Sequence, residues 1–173
     1  NNADNNECIN EDTCGYRHYN AFIPFYKRRE NAQLYLVPKL KITPQIIDKD
    51  ALVIHIRGGD FMKEDRISYK YLTKSISYID QGSKLSVITN DVDFAENLLH
   101  KAGIKTYEFI MGTVSQDFIA LTESSFIICS NSTFSIWGSL LSEAETILIP
   151  KTRSNRMLKN FKLNQVKKEI KYV

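Results

Sequence analysis

Leu52-Val53-Ile54-His55-Ile56-Arg57-Gly58-Gly59-Asp60 is the stretch that decides the fold of this chain. Leu52 to Ile56 is short, apolar except for His55 and mostly β-branched, as a strand buried on both faces requires. The charged and glycine-rich residues 57–60 then break it as a turn does. Toward the C-terminus the same alternation recurs. Tyr69 to Ile79 predicts a helix with Tyr69, Leu72, Ile76 and Ile79 on one face, and Leu85 to Thr89 a second strand. Phe94 to Ala102 reads as a helix stopped by Gly103, the usual residue for a helix end. Ile104 to Ile110 reads as a third strand, and Ser115 to Thr122 as a helix capped by Ser115. Phe126 to Cys129 is a fourth strand, Thr133 to Leu141 a helix, and Thr146 to Ile149 a fifth strand closed by Pro150. Strands and helices that alternate in this way predict an α/β fold with a doubly wound parallel sheet.

Outside residues 51–150 the pattern fades. Residues 1–50 form a partial N-terminal segment, with Pro24, Pro38 and Pro44 interrupting it and one short helix expected near 27–35. Cys8 and Cys14 are either a disulfide or two free thiols, because spacing alone does not decide pairing. No basic stretch followed by an apolar run opens the sequence, so no leader is expected, and a start at Asn1 suggests trimming. Residues 151–173 form a basic tail with eight Lys/Arg and one Glu, a net of +7. The whole chain carries +3, so residues 1–150 carry −4. The tail reads as a solvated helix docking Leu158, Phe161, Val166 and Ile170, or as a contact for an anionic membrane surface or a phosphate.

Composition narrows the function classes. With 173 residues, 43% hydrophobic and 25% charged, the chain has the make-up of one globular domain and not of a disordered or fibrous polymer. No run of about 18 apolar residues is present, so no membrane-spanning helix is expected. Three cysteines do not make a disulfide scaffold, and the scattered His18, His55 and His100 do not make a metal site. A net charge of +3 does not mark a nucleic-acid binder, and none is expected as a partner.

In parallel sheets of this kind, ligands bind at the carboxyl ends of the strands. Three loops should therefore open on one edge: residues 55–60, residues 89–91 and residues 130–134. Each candidate residue has two readings. Arg57 beside Gly58 and Gly59 offers a guanidinium fork and close backbone approach to an anion, or a plain turn with an Arg57–Asp60 ion pair. Ser132 and Thr133 open a helix, where free N–H groups bind phosphate, or they simply cap it. Asp91 accepts from a guanine edge or caps the helix that follows it. His55 contacts ligand or is a satisfied core histidine. Neither the Gly-x4-Gly-Lys-Ser/Thr phosphate loop nor the Gly-x-Gly-x-x-Gly dinucleotide fingerprint is present.

The three loops together resemble a known family. His55-x-Arg57-x-Gly59-Asp60 is similar to the His-x-Arg-Arg-Gly-Asp motif of the α-1,2-fucosyltransferases and of their α-1,6 and protein O-fucosyltransferase relatives. Residues 117–142, from Asp117 through Phe126-Ile-Ile-Cys-Ser-Asn131-Ser-Thr-Phe-Ser-Ile-Trp137-Gly138, closely resemble the third α-1,2 motif. Val87-Ile-Thr-Asn-Asp91 is similar to the intervening Phe-Ser-Asp-Asp segment. The resemblance implies that 51–150 is a Rossmann-like domain, like the C-terminal nucleotide-sugar-binding half of a GT-B glycosyltransferase. It implies inverting transfer of fucose from GDP-fucose to a glycan hydroxyl, with no metal and no further cofactor. By position, Arg57 would hold the β-phosphate and stabilise the departing GDP. His55 and Asp91 would contact the guanosine, and Asn131, Ser132, Thr133 and the amide of Phe134 would hold the phosphates, with Gly58, Gly59 and Asp60 in support. Gly58 stands where the α-1,2 motif has its second arginine, and Asn90 where the middle motif has its first aspartate. Only about 50 residues precede the first motif, where the family has an acceptor-side domain, and no catalytic base is assigned. A module that binds a GDP-sugar without turnover is the alternative; a flavodoxin-like module would need a hydroxyl-rich or acidic first turn, which Arg57 and the glycines do not supply. Asn131-Ser132-Thr133 is formally a glycosylation acceptor, but a glycan there would block the site, which points to the cytoplasm. A membrane-associated or a secretory-lumen setting stays open.

Overall fold

The structure, a computed structural model, describes residues 52–80, 83–142, 144–151 and 169–173. β1 (Leu52–Ile56) lies inside a six-stranded sheet with β2 (Leu85–Thr89), β3 (Glu108–Ile110), β4 (Phe126–Ile128), β5 (Thr146–Ile149) and β6 (Glu169–Tyr172). The strand order is β3-β2-β1-β4-β5-β6, and every neighbouring pair is parallel. Among the described residues, four α-helices lie between β1 and β5: α1 (Tyr69–Ile76), α2 (Val92–Lys101), α3 (Val114–Glu123) and α4 (Thr133–Leu141).

Side-chain alternation along β1 sorts the core into two layers. Ile54 and Ile56 join Tyr71 and Leu72 of α1 and Ala95, Leu98 and Leu99 of α2. Val53 lies on the other face with Ala120 and Leu121 of α3 and Ile136 and Leu140 of α4. Helices therefore cover both faces, as the doubly wound reading requires. Leu72, Leu99, Leu121 and Leu140 are essentially inaccessible to water, each burial contributing ~1.5–3 kcal/mol. Tyr71 ties the first layer to the sheet, its hydroxyl lying 2.9 Å from the carbonyl of Cys129 and 3.0 Å from that of Leu148.

Helix ends account for most departures from the expected boundaries. α2 begins at Val92, one residue after its cap Asp91, whose side chain accepts from the Phe94 amide. At its far end Gly103 takes φ +78°, the left-handed conformation that glycine alone adopts cheaply. The Gly103 amide donates to His100 and the Ile104 amide to Leu99, both at 3.0 Å. That double closure spends Ile104 on the helix cap, so β3 is shorter than expected and starts at Glu108. α3 is capped by Thr113 and not by Ser115. Thr113 Oγ1 accepts from the Gln116 amide, and the Gln116 side chain accepts from the Thr113 amide. This reciprocal pair satisfies two helix-end donors that Ser115 would leave open. α1 ends at Ile76, where Tyr78 and Ile79 donate to carbonyls three residues back.

The basic tail needs a correction at its end. Glu169–Tyr172 is not helical but pairs with β5 as β6, from Thr146↔Glu169 to Ile149↔Tyr172. Ile170 packs on the α3/α4 layer, while Val173 joins the α1/α2 layer. Leu158, Phe161 and Val166, the 27–35 helix and the Cys8–Cys14 pair lie outside the described residues.

α3 and α4 approach closely because Gly138 has no side chain. A Cβ there would stand 2.8 Å from Leu121 Cβ and 2.9 Å from Leu121 Cδ1. Gly138→Ala should overpack this seam and lower stability by about 1–3 kcal/mol, read as a shift of the urea midpoint at unchanged slope.

Candidate functional site

From β1 the chain passes to β2 on one side, and from β4 it passes to β5 on the other. The loops after β1 and β4 therefore diverge and leave a crevice over the carboxyl ends of these two neighbours. His55, Arg57 and residues 130–134 belong to the two strand ends that flank it. A groove of about 570 Å³, lined by Thr73, Ile76, Leu85 and Gly103 among others, lies at the opposite edge and includes none of these loop residues.

The glycine turn after β1 is tied to the loop after β2. Asn90 Oδ1 accepts from the Gly58 amide at 2.9 Å, and Asp91 Oδ2 from the Gly59 amide at 2.7 Å. Asn90 Nδ2 donates to Asp60 Oδ1 at 3.1 Å. An amide performs both tasks of Asn90, donor and acceptor; an aspartate could only accept and would face Asp60 with like charge. Asp91 uses one oxygen on Gly59 and the other on Phe94, and these two amides hold its carboxyl below the usual range. Gly59 has φ +45°, which favours glycine.

Gly58 has no space for a side chain. A Cβ would come within 2.7 Å of Phe94 Cδ1 and 2.8 Å of Asp91 Cβ. Gly58→Arg should therefore not rebuild a double-arginine motif. It should displace Asp91 or Phe94, cost about 1–3 kcal/mol of stability and weaken anion binding, which chemical denaturation and GDP titration would measure. Arg66 braces the same turn: its Nε donates to Phe61 O at 2.9 Å and its Nη2 to Gly59 O at 2.8 Å. Its guanidinium also lies over the Phe94 ring, 4.9 Å from the centroid. Sequence reasoning passed over Arg66, because nothing local marks a residue seven positions from the carbonyl it holds.

Arg57 Nη2 pairs with Asp60 Oδ2 at 2.8 Å, and the hydrogen bond from Arg57 lowers the Asp60 carboxyl from its ordinary value. The pair is open to water, with Asp60 65% exposed, so it is screened and adds little to stability. Arg57 Nε is buried and has no hydrogen-bond partner among the described residues. Buried donors are rarely left unmade, and an orphan guanidinium nitrogen beside the crevice has an unmet demand for an acceptor.

His55 is 3% exposed on the face of β1 shared with Val53. Its Nδ1 lies 2.6 Å from Ser130 Oγ, and its ring packs on Phe134 at 5.4 Å. Burial first, then the Arg57 charge, lowers its pKa from 6.5 to about 3, so the imidazole is neutral. Phe134 also meets Phe118 edge-on at 5.4 Å. Ser132 is the cap of α4, its Oγ accepting from the Phe134 amide at 3.3 Å. Thr133 is the first residue of α4 and is partly exposed; Asn131 Nδ2 donates to the carbonyl of Asp65 at 3.4 Å. Asp117 does not cap α3. Burial raises its carboxyl, a hydrogen bond from the Gly112 amide acts against that rise, and one oxygen is buried without a partner among the described residues. Cys129 is no nucleophile, since burial pushes its thiol up to about 12.

The structure thus brings His55, Arg57, Gly58, Gly59, Asp60, Asp91 and Asn131 to Phe134 onto one edge. Residues 27–173 match the family model described as Glycosyl transferase family 11. The chain belongs to glycosyl transferase family 11. This is the α-1,2-fucosyltransferase family suggested by the three motifs, and the match reaches β6, beyond the stretch that carries them. No curated protein and no solved structure matches the chain. Family 11 membership identifies a glycosyltransferase and so implies a nucleotide-sugar donor and a glycan acceptor. No helix among the described residues is long and apolar enough to cross a membrane.

Proposed function

We propose that this chain is a fucosyltransferase that moves fucose from GDP-fucose to a glycan hydroxyl in an α-1,2-like, inverting reaction without metal. The observation that carries the reading is Arg57: a guanidinium beside the switch-point crevice whose buried Nε has no partner among the described residues and whose ion pair to Asp60 is screened. A diphosphate oxygen would replace Asp60 readily and satisfy the orphan nitrogen. The acceptor oxygen forms a bond to the anomeric carbon, the bond to the β-phosphate breaks on the opposite face, and its electron pair stays on GDP. The acceptor hydroxyl proton leaves to a base or to solvent. Arg57 is the residue positioned to stabilise the charge that grows on the diphosphate. The start of α4, with Thr133 and the Ser132 cap, adds hydroxyl and helix-end dipole at the same edge.

On this reading the described domain corresponds to the donor half of a GT-B enzyme, with residues 1–50 on the acceptor side. Asp91 and His55 face the nucleoside, and no nucleic acid is bound. The protein works in the cytoplasm, and the basic stretch 151–173 contacts an anionic membrane surface by charge; liposomes that fail to sediment it would remove that contact. A GDP-sugar-binding module without turnover is the second reading. It is favoured by the closed position at Gly58, which leaves the turn with one arginine.

Calorimetric titration of GDP and GDP-fucose in the presence of a chelator tests the donor. Tight, chelator-insensitive binding, followed by fucose release or transfer in an acceptor screen, supports the enzyme. Binding without turnover supports the module, and failure to bind either ligand overturns both.

A further inference from the structure

A buried line of hydroxyls behind His55 bears on the proton arrangement of its ring. Ser135 Oγ lies 3.1 Å from the carbonyl of Ser132 and 3.2 Å from that of Ser130. Carbonyls only accept, so the single Ser135 proton is committed to one of them. A Ser135 proton placed on these nearer carbonyls leaves none for Ser130, 3.3 Å away. The Ser130 proton then has two acceptors, His55 Nδ1 at 2.6 Å and Ser135 Oγ at 3.3 Å. N–H···O hydrogen bonds span roughly 2.7–3.2 Å, whereas hydroxyl donors reach shorter separations, roughly 2.5–3.0 Å to oxygen. A contact of 2.6 Å therefore fits Ser130 O–H donating to Nδ1 and is short for the reverse. With Nδ1 accepting, a neutral imidazole carries its proton on Nε2.

We infer that Ser130 is a positioning residue that fixes His55 in the neutral Nε2–H form, so that the ring offers an uncharged hydrogen-bond donor at the β1/β4 strand ends. Phe134 against the ring restricts its rotation. The ligand atom that suits this donor is an acceptor, such as a phosphate, ribose or base oxygen of a nucleoside diphosphate, and not a hydroxyl that must donate. The ligand half of this inference rests on the donor-site reading above; the tautomer half does not.

Long-range proton–nitrogen spectra of protein labelled at the imidazole nitrogens read the tautomer directly. The wild type should show one protonated nitrogen on His55, Nε2, at neutral pH. Ser130→Ala should lose the single-tautomer pattern and bind GDP roughly 3- to 10-fold more weakly, the scale of one hydrogen bond; Ser130→Thr should restore both. Ser135→Ala leaves the Ser130–His55 bond in place and should keep Nε2–H. A wild-type ring protonated on Nδ1 overturns the inference even if Ser130→Ala does not fold. So does an unchanged Nε2–H pattern in a folded Ser130→Ala. If the wild type shows Nε2–H but binds no GDP, the donor-site reading fails and the tautomer assignment stands.

Discussion

Arg57→Ala should lower the rate of sugar transfer by about 10²–10³-fold, the usual loss when one preorganised donor to developing charge is removed. The thermal midpoint should stay close to wild type. The Arg57 side chain is 30% exposed and its only ion pair among the described residues is to an exposed carboxylate, so truncation leaves no buried charge behind. Removing the side chain also removes an orphan donor at Nε, which is a small relief to the empty protein. Arg57→Lys should recover only part of the rate, because an ammonium is a point charge and cannot bridge two oxygens as the planar fork does. Kinetics would separate the roles: a fall in kcat together with kcat/KM marks charge stabilisation in the transition state, whereas a raised KM alone marks ground-state binding. Near-wild-type kcat/KM in Arg57→Ala would sink the assignment.

Acid should destabilise the protein by about 2.5 kcal/mol between pH 7 and pH 4.5, before the lowered carboxylates of Asp60 and Asp91 titrate. His55 is the cause. Its folded pKa is depressed to about 3 by burial and by Arg57, against 6.5 in the unfolded chain. Between those values the unfolded chain binds the proton and the folded chain does not. Each pH unit of descent then favours unfolding by up to ~1.4 kcal/mol. The stability contributed by the neutral ring is complete above pH 6.5 and is lost as pH falls toward 3. Asp60, lowered by its hydrogen bond from Arg57, and Asp91, lowered by the Gly59 and Phe94 amides, lose their contributions only at lower pH. Asp117, raised by burial, works in the opposite sense and is relieved by acid. Urea denaturation at pH steps from 7 to 4.5 should show this decline in wild type and a flattened profile in His55→Gln. Equal slopes in the two proteins would refute the assignment to His55.

Much of this fold is legible locally. The boundaries of β1, β2, α4 and β5 follow from apolar runs and the breakers beside them, since such runs have few other solutions in water. The Thr113–Gln116 capping box is equally legible as Thr-x-x-Gln, a stronger start signal than Ser115 alone. β6 was not legible. Glu169 and Lys171 alternate with the strand formers Ile170 and Tyr172, but four residues after a basic stretch are too short a signal on their own, and pairing with β5 fixes their state.

The site divides along the same line. Sequence alone determined which residues stand at the carboxyl ends of the strands, and the motif resemblance anticipated the family to which they belong. It left open whether each was a cap, a core residue or a ligand contact. Tertiary structure decided that Asp91 caps α2 and also holds Gly59, that Asn90 bridges Gly58 and Asp60, and that His55 is bonded to a serine 75 residues away. The physical reason is range. Propensity, capping and burial period act within a few residues, whereas the partner of a buried polar group is set by which strands become neighbours. Here β4 returns to the side of β1, and that pairing brings Ser130 to His55.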